Sequence, residues 1–178
     1  VCVPSSRAPR LFAPGFSELL SLNWIPLGAD VIRLETRFSF CHMDRSPVKI
    51  YKFREVRRLH SVHLGAAGYL ISRSIAGVLV GHTDTVFDTV DQFLFNPRSP
   101  IAEKMTVLQL TPAPIIQGSL DRKSASKPWA VSSLQAERDK DSVRIGPISW
   151  RLRQAWKLLY GKIGALRSAT SFEKIPFG

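Results

Sequence analysis

Residues Leu64 to Gly81 form an eighteen-residue stretch whose single formal charge is Arg73. A stretch of this kind has to leave water, so the fold must either bury it or insert it in a bilayer. Small residues crowd it, and the Gly77-xxx-Gly81 and Ser72-xxx-Ala76 spacings are those that let helices approach closely in lipid. Basic residues precede it between Lys49 and Arg58, while Asp84, Asp88 and Asp91 follow. That asymmetry suits a span whose amino-terminal side faces a matrix or cytosol. Against spanning stand a length at the lower limit for crossing a bilayer and a central arginine, which is costly there unless paired. Two expectations follow: a membrane-embedded helix, or a buried helix or strand pair with Arg73 at an edge.

The chain has 178 residues, with 25 Lys and Arg against 14 Asp and Glu, a surplus of +11. With 44% hydrophobic and 22% charged residues it is neither a disordered polyelectrolyte nor a polytopic membrane protein. One domain with extensions is the expected scale. Two cysteines, Cys2 and Cys41, make no disulfide framework and no zinc spacing. With Val1 first, the chain reads as processed or partial, without a remaining signal segment.

Composition divides the sequence into an extended arm at 1–29, a small body at 30–116 that includes 64–81, a polar linker at 117–147, and a basic amphipathic helix with tail at 148–178. Four prolines stretch the arm, whose one short helix runs from Ser17 to Trp24 and is expected to lie on a partner. Alternation over Val31 to Met43 predicts a strand with Ile32, Leu34, Thr36, Phe38 and Phe40 inward and Arg33, Glu35, Arg37 and Ser39 outward. Turn chemistry at Asp44 to Pro47 and renewed alternation over Val48 to Phe53 predict that this strand returns as an antiparallel hairpin with a basic face. Residues Glu55 to Leu64 fit a helical turn or an irregular strand equally. Thr85 heads a helix with Val86, Val90, Phe93 and Leu94 on its buried stripe, closed by Asn96-Pro97, and a short strand over Met105 to Leu110 follows. The expected fold class is therefore α+β: a small antiparallel hairpin or sheet body with a few helices, an extended arm, a polar linker and the C-terminal helix.

The positive surplus sits in two blocks. Between Asp44 and Leu64 six basic residues face two acids, and between Ile148 and Gly178 six face Glu173 alone. Lys49, Lys52, Arg54, Arg57 and Arg58 in the first block, and Arg151, Arg153, Lys157, Lys162 and Arg167 in the second, are the candidate contacts to lipid or RNA phosphates. Gly77, Gly81, Trp150, Trp156 and Tyr160 are the candidate membrane or helix-packing residues. Phe172, Ile175 and Phe177 could anchor the tail.

No phosphate-binding loop, dinucleotide fingerprint, zinc-protease motif, nucleophile elbow or CxxC occurs. Cys41, His42, Met43 and Asp44 cannot converge on a metal if they alternate along a strand. His60 and His63 share a face only on a helix, and His82-Thr83-Asp84 has no nucleophile beside it. No catalytic, cofactor or metal site is thus expected. The reading that follows is a non-catalytic accessory subunit of a large organellar complex, in the mitochondrial inner membrane or on its matrix side, of respiratory-chain or ATP-synthase type. Its partners would be neighbouring subunits and an anionic lipid such as cardiolipin. The alternative is an RNA-binding mitoribosomal protein that contacts rRNA.

Overall fold

The computed structural model describes residues 10–21, 23–82, 89–121, 158–159, 161–165 and 169–178. Their architecture is mixed α+β, as the sequence predicts. The main sheet has five strands: β2 (Val31–Arg33), β5 (Lys49–Tyr51), β6 (Arg54–Arg58), β7 (Tyr69–Ile71) and β8 (Val107–Thr111), in the order β5-β6-β8-β2-β7. The β2 and β8 pair is parallel, with Val31 opposite Val107, and the other pairs are antiparallel. Beside it lie a three-stranded sheet, β1 (Arg10–Phe12), β9 (Ile115–Gln117) and β3 (Glu35–Thr36), and a two-stranded one of β4 (Phe40–Asp44) with β10 (Thr170–Lys174).

Strands at the middle of this sheet are covered on both faces. Alternation sends Val31 and Val107 into one core cluster with Met43, Leu59, Tyr69, Leu94, Phe95 and Met105, and sends Ile32 and Leu108 into a second with Leu19, Trp24, Val56 and Leu110. This double burial corrects the solvent-facing side expected for the 31–43 strand: residues Val31 to Thr36 are all buried, Arg33 and Glu35 included. Nor is the strand continuous. Phe38 has a positive φ of 54°, and Thr36 Oγ1 accepts from the Phe38 amide while donating to the Ile175 carbonyl. The chain therefore leaves one sheet after β3 and enters another as β4.

The expected hairpin of the 31–43 strand with 48–53 does not form. Strand β5 returns as β6 through Lys52-Phe53, with Lys52 at φ 55°, whereas β4 pairs with β10 near the C-terminus. Residues 54–58 resolve the helix-or-strand choice as strand. Part of the arm packs on the body: its 3-10 turn at Phe16–Ser21 and the following residues place Trp24, with no exposed surface, in the second cluster, its Nε1 donating to the Leu19 carbonyl at 2.7 Å.

The apolar segment 64–81 is broken into strand β7 and helix α1 (Arg73–Val80), capped by Ser72 Oγ accepting from the Ile75 amide. Eight residues of helix span about 12 Å against about 30 Å of hydrocarbon. Among the described residues no helix is long and apolar enough to cross a membrane, so the membrane-embedded expectation for this segment gives way to packing in the body. Its small residues serve close backbone approach instead: a Cβ at Gly68 would strike Ile115, and Gly65 at φ +111° would place one 2.7 Å from Glu35 Oε1. Gly77 faces open space and Gly81 closes α1.

Helix α2 (Val90–Phe95) ends at Asn96, as expected, and buries Leu94 and Phe95. Thr85 and Val86 lie outside the described residues, as do 122–147 of the linker and 148–157 of the basic helix. Residues 161–165 are helical, and Ile175 is fully buried while Phe177 bridges to Ala113.

Removing the Trp24 indole should lower the free energy of unfolding by about 3–5 kcal/mol, because a large side chain leaves a cavity in a closed core. Leu27→Ser, at a fully exposed neighbour, should change it by no more than about 0.5 kcal/mol. Urea unfolding followed by fluorescence measures both.

Candidate active site

Most of the basic residues singled out in the first block are engaged within the chain. Lys49 Nζ donates to the carbonyls of Asn23 (2.6 Å) and Ile25, Lys52 pairs with Glu18, and Arg54 is buried with Nη1 donating to the Pro112 carbonyl. Arg57 bridges Glu55 and Glu173, its Nε 2.6 Å from Glu55. Arg58, at the end of β6, is exposed and makes no ion pair with another described residue. Lys162 is exposed on helical residues 161–165, while Arg151, Arg153, Lys157, Arg167, Trp150, Trp156 and Tyr160 lie outside the described residues.

Arg58 opens onto a cavity of about 200 Å³. Where β6 ends, the chain continues beside β4 and β8: Leu59 donates its amide to the Val107 carbonyl, His60 donates its own to the His42 carbonyl, and the His42 amide donates to Ser61 Oγ at 2.9 Å. These bonds carry Arg58, His60 and Ser61 along one wall. The other wall is Phe95 from α2, Pro97, and Ala102 and Glu103 from the 3-10 turn Ala102–Lys104. Glu103 is exposed and, among the described residues, has no ion pair.

Strand alternation sends Cys41 and Met43 into the core and leaves His42 and Asp44 partly exposed. That places Asp44 Oδ1 2.6 Å from His60 Nε2. A carboxylate that accepts the Nε2 proton fixes the tautomer of a neutral imidazole and leaves Nδ1 as its basic nitrogen. Among the described residues no group of three His, Cys, Asp or Glu side chains is placed to hold a metal ion. What the cavity offers is an imidazole oriented by a carboxylate, a hydroxyl, and a cation and a carboxylate without an ion pair among the described residues, enough for proton transfer beside a developing negative charge.

Behind this wall lies a buried polar cluster. Arg33, 1% exposed, donates from Nη1 to the His63 carbonyl and from Nη2 to the Leu64 carbonyl, and its guanidinium sits 4.2 Å from the centre of the Phe95 ring. Glu35 accepts from the Ala67 amide at 2.5 Å and from Gln117 Nε2 at 2.7 Å. Asp91 accepts the Gly65 amide at 2.9 Å. Burial pushes the Glu35 carboxyl above its usual range against the pull of Arg33, and lowers the Arg33 guanidinium to about 10, which leaves it charged at neutral pH. His63 is also 1% exposed, and burial, then the Arg33 charge, lowers it to about 3. Neither ring nitrogen of His63, nor Arg33 Nε, nor Gln109 Oε1 finds a hydrogen-bond partner among the described residues. His60 and His63 thus do not share a face: one reaches the cavity and the other is sealed in the core.

Residues 15–94 match the model of glycosyltransferase family 25, described as a lipopolysaccharide biosynthesis protein. The matched segment is somewhat under half of the chain, and it supplies Asp44, Arg58, His60, Ser61, Arg33 and Asp91, ending one residue before Phe95. No curated protein and no solved structure matches. The match overturns the exclusion of an enzyme and, with it, the expected accessory subunit of a mitochondrial membrane complex and its mitoribosomal alternative. That exclusion relied on short motifs being absent. Here the chemistry-bearing groups are brought together by folding, from positions 44, 58 to 61, 95 and 103, with no local pattern to reveal them.

Because His63 is neutral in the fold but protonates near 6.5 when unfolded, stability should fall as pH drops below about 6.5 and continue to fall toward the folded value near 3. The slope reaches about 1.4 kcal/mol per pH unit for one proton. His63→Leu should flatten it by that amount between pH 6 and 5, measured by urea unfolding at each pH. An unchanged slope would mean that His63 is not buried as described.

Proposed function

We propose that this chain contributes the sugar-transferring site of a glycosyltransferase, with the cavity between β6 and α2 as that site. The observation that carries the reading is the family match across residues 15–94, the segment that holds the Asp44 and His60 pair and Arg58. Transfer joins an acceptor hydroxyl oxygen to the anomeric carbon of a donor sugar as the bond from that carbon to a phosphate-bearing leaving group breaks. His60, its Nε2 hydrogen-bonded to Asp44, receives the hydroxyl proton at its other ring nitrogen. The departing group takes the bonding electron pair, and the Arg58 guanidinium meets its negative charge.

Size and charge support the same reading. A volume of about 200 Å³ is below the usual range of about 300–1,000 Å³ for ligand pockets, so it suits one sugar ring while the remainder of donor and acceptor lies on open surface. The surplus of +11 raises the local concentration of an anionic acceptor, and a lipopolysaccharide-type glycan is the acceptor class that the family description suggests.

The test is transfer of labelled sugar from a panel of phosphate-activated donors to saccharide acceptors. His60→Gln should lower the rate by about 10²–10⁴-fold, the range for loss of a positioned base. Arg58→Gln should raise the donor KM about tenfold, equivalent to roughly 1.4 kcal/mol of lost charge-assisted binding. Absence of transfer with every donor, or an undiminished rate in His60→Gln, would contradict the reading.

A further inference from the structure

We propose that Arg33 is a positioning residue for the cavity: its buried guanidinium ties the two walls together, gripping one through the His63 and Leu64 carbonyls and the other through the face of Phe95. This inference rests on the cavity being the site of transfer.

The two walls come from chain segments with little else in common. His60 and Ser61 stand just beyond β6, at the start of a stretch, 60–68, that forms no helix or strand. Phe95 is the last residue of α2, a helix of six residues. Strand β2 runs behind both, and only a long side chain with donors on a flat head can reach them together. Arg33 does so: Nη1 and Nη2 take successive carbonyls while the flat head lies over the ring, 4.2 Å from its centre. Tyr69 meets the same ring edge-on at 5.7 Å, which holds Phe95 from a second direction. Asp91 reinforces the link from α2 by accepting the Gly65 amide.

Volume alone does not account for an arginine here. It is 1% exposed, forms no ion pair with a described carboxylate, and leaves Nε without a partner. An apolar side chain of similar size fills such a space at lower cost, because a buried cation loses its hydration. Lysine would keep the charge, but it has neither the fork that spans two carbonyls nor the plane that stacks on a ring. The geometry therefore uses what is particular to the guanidinium, and uses it on the carbonyls of His63 and Leu64, which follow His60 and Ser61 in the chain, and on Phe95, which lines the cavity.

The experiment compares Arg33→Lys, Phe95→Leu and Leu110→Ala in the full chain, below the unfolding range of all three. Leu110 is a fully buried residue of the other core cluster and is not among the residues that line the cavity, so its variant controls for lost stability. Arg33→Lys and Phe95→Leu should each reduce kcat about 10–100-fold with donor KM changed less than about threefold, the mark of misplaced reacting groups. Leu110→Ala should keep kcat within about twofold despite a comparable fall in Tm. Loss of kcat in proportion to Tm across all three variants, or an unaltered kcat in Arg33→Lys, would overturn the proposal.

Hydrogen exchange tests the strut without activity. In Arg33→Lys the amides from Ser61 to Gly65 should exchange at least about tenfold faster, while those of the β5 and β6 hairpin stay within about twofold. If the native chain transfers no sugar, the functional reading fails and exchange alone judges the strut; unchanged protection of Ser61 to Gly65 overturns it in either case.

Discussion

Residues 60–68 make no helix or strand, yet they link β6 to β7 and include His60 and Ser61 at the cavity. What holds them is a set of charged side chains acting on backbone groups: Arg33 on the carbonyls of His63 and Leu64, Asp91 on the Gly65 amide, and Glu35 on the Ala67 amide. Main-chain groups in such a segment would otherwise be buried without partners, at a cost of about 1–3 kcal/mol each. Charged partners make stronger bonds than neutral ones, but they bring their own desolvation, visible in the raised Glu35 carboxyl and the lowered Arg33 guanidinium. The loop, the wall of the cavity and the buried polar cluster are thus one construction, and Gly65 and Gly68 are the positions where it leaves no room for a side chain.

This arrangement also explains how the positive surplus is distributed. Lys49, Arg54 and Arg33 donate to carbonyl oxygens, and Lys52 and Arg57 pair with carboxylates, so these cations fasten segments of the chain to one another. Arg58 stands apart from them at the mouth of the cavity. The proposed glycosyl transfer asks mainly for a base at the acceptor hydroxyl and positive charge at the leaving group, the roles proposed for His60 and Arg58.

Much of the fold was legible. The α+β class, the end of α2 at Asn96 and the approximate position of β8 follow from periodicity and turn residues. The failures have physical causes. Alternation over 31–43 assigns Arg33 and Glu35 to solvent because polar side chains on one face normally mean water, whereas here a second layer covers that face and the loop consumes their hydrogen-bonding capacity. The membrane reading of 64–81 treats low charge and small residues as a property of one helix, but Gly65 and Gly68 are demanded by contacts with Glu35 and Ile115, which lie far away in sequence. The hairpin partner was misassigned because β4 finds β10, more than a hundred residues on, and no local signal carries such a pairing. For the site, the sequence sets His60 beside His63 and Asp44 beside Cys41, His42 and Met43, neighbours with which neither forms a site. Their pairing across β4 and the end of β6 appears only once the strands are in register.

The central claim is that a sugar donor is held between the end of β6 and the turn after α2. Titration of the isotope-labelled full chain with a phosphate-activated sugar, followed by amide correlation spectra, tests it most directly. The account predicts saturable shifts concentrated at Arg58 to Ser61 and at Phe95 to Glu103, weakened in Arg58→Gln. Shifts confined to the β5 and β6 hairpin and the arm, or none at any of the donors, would contradict it.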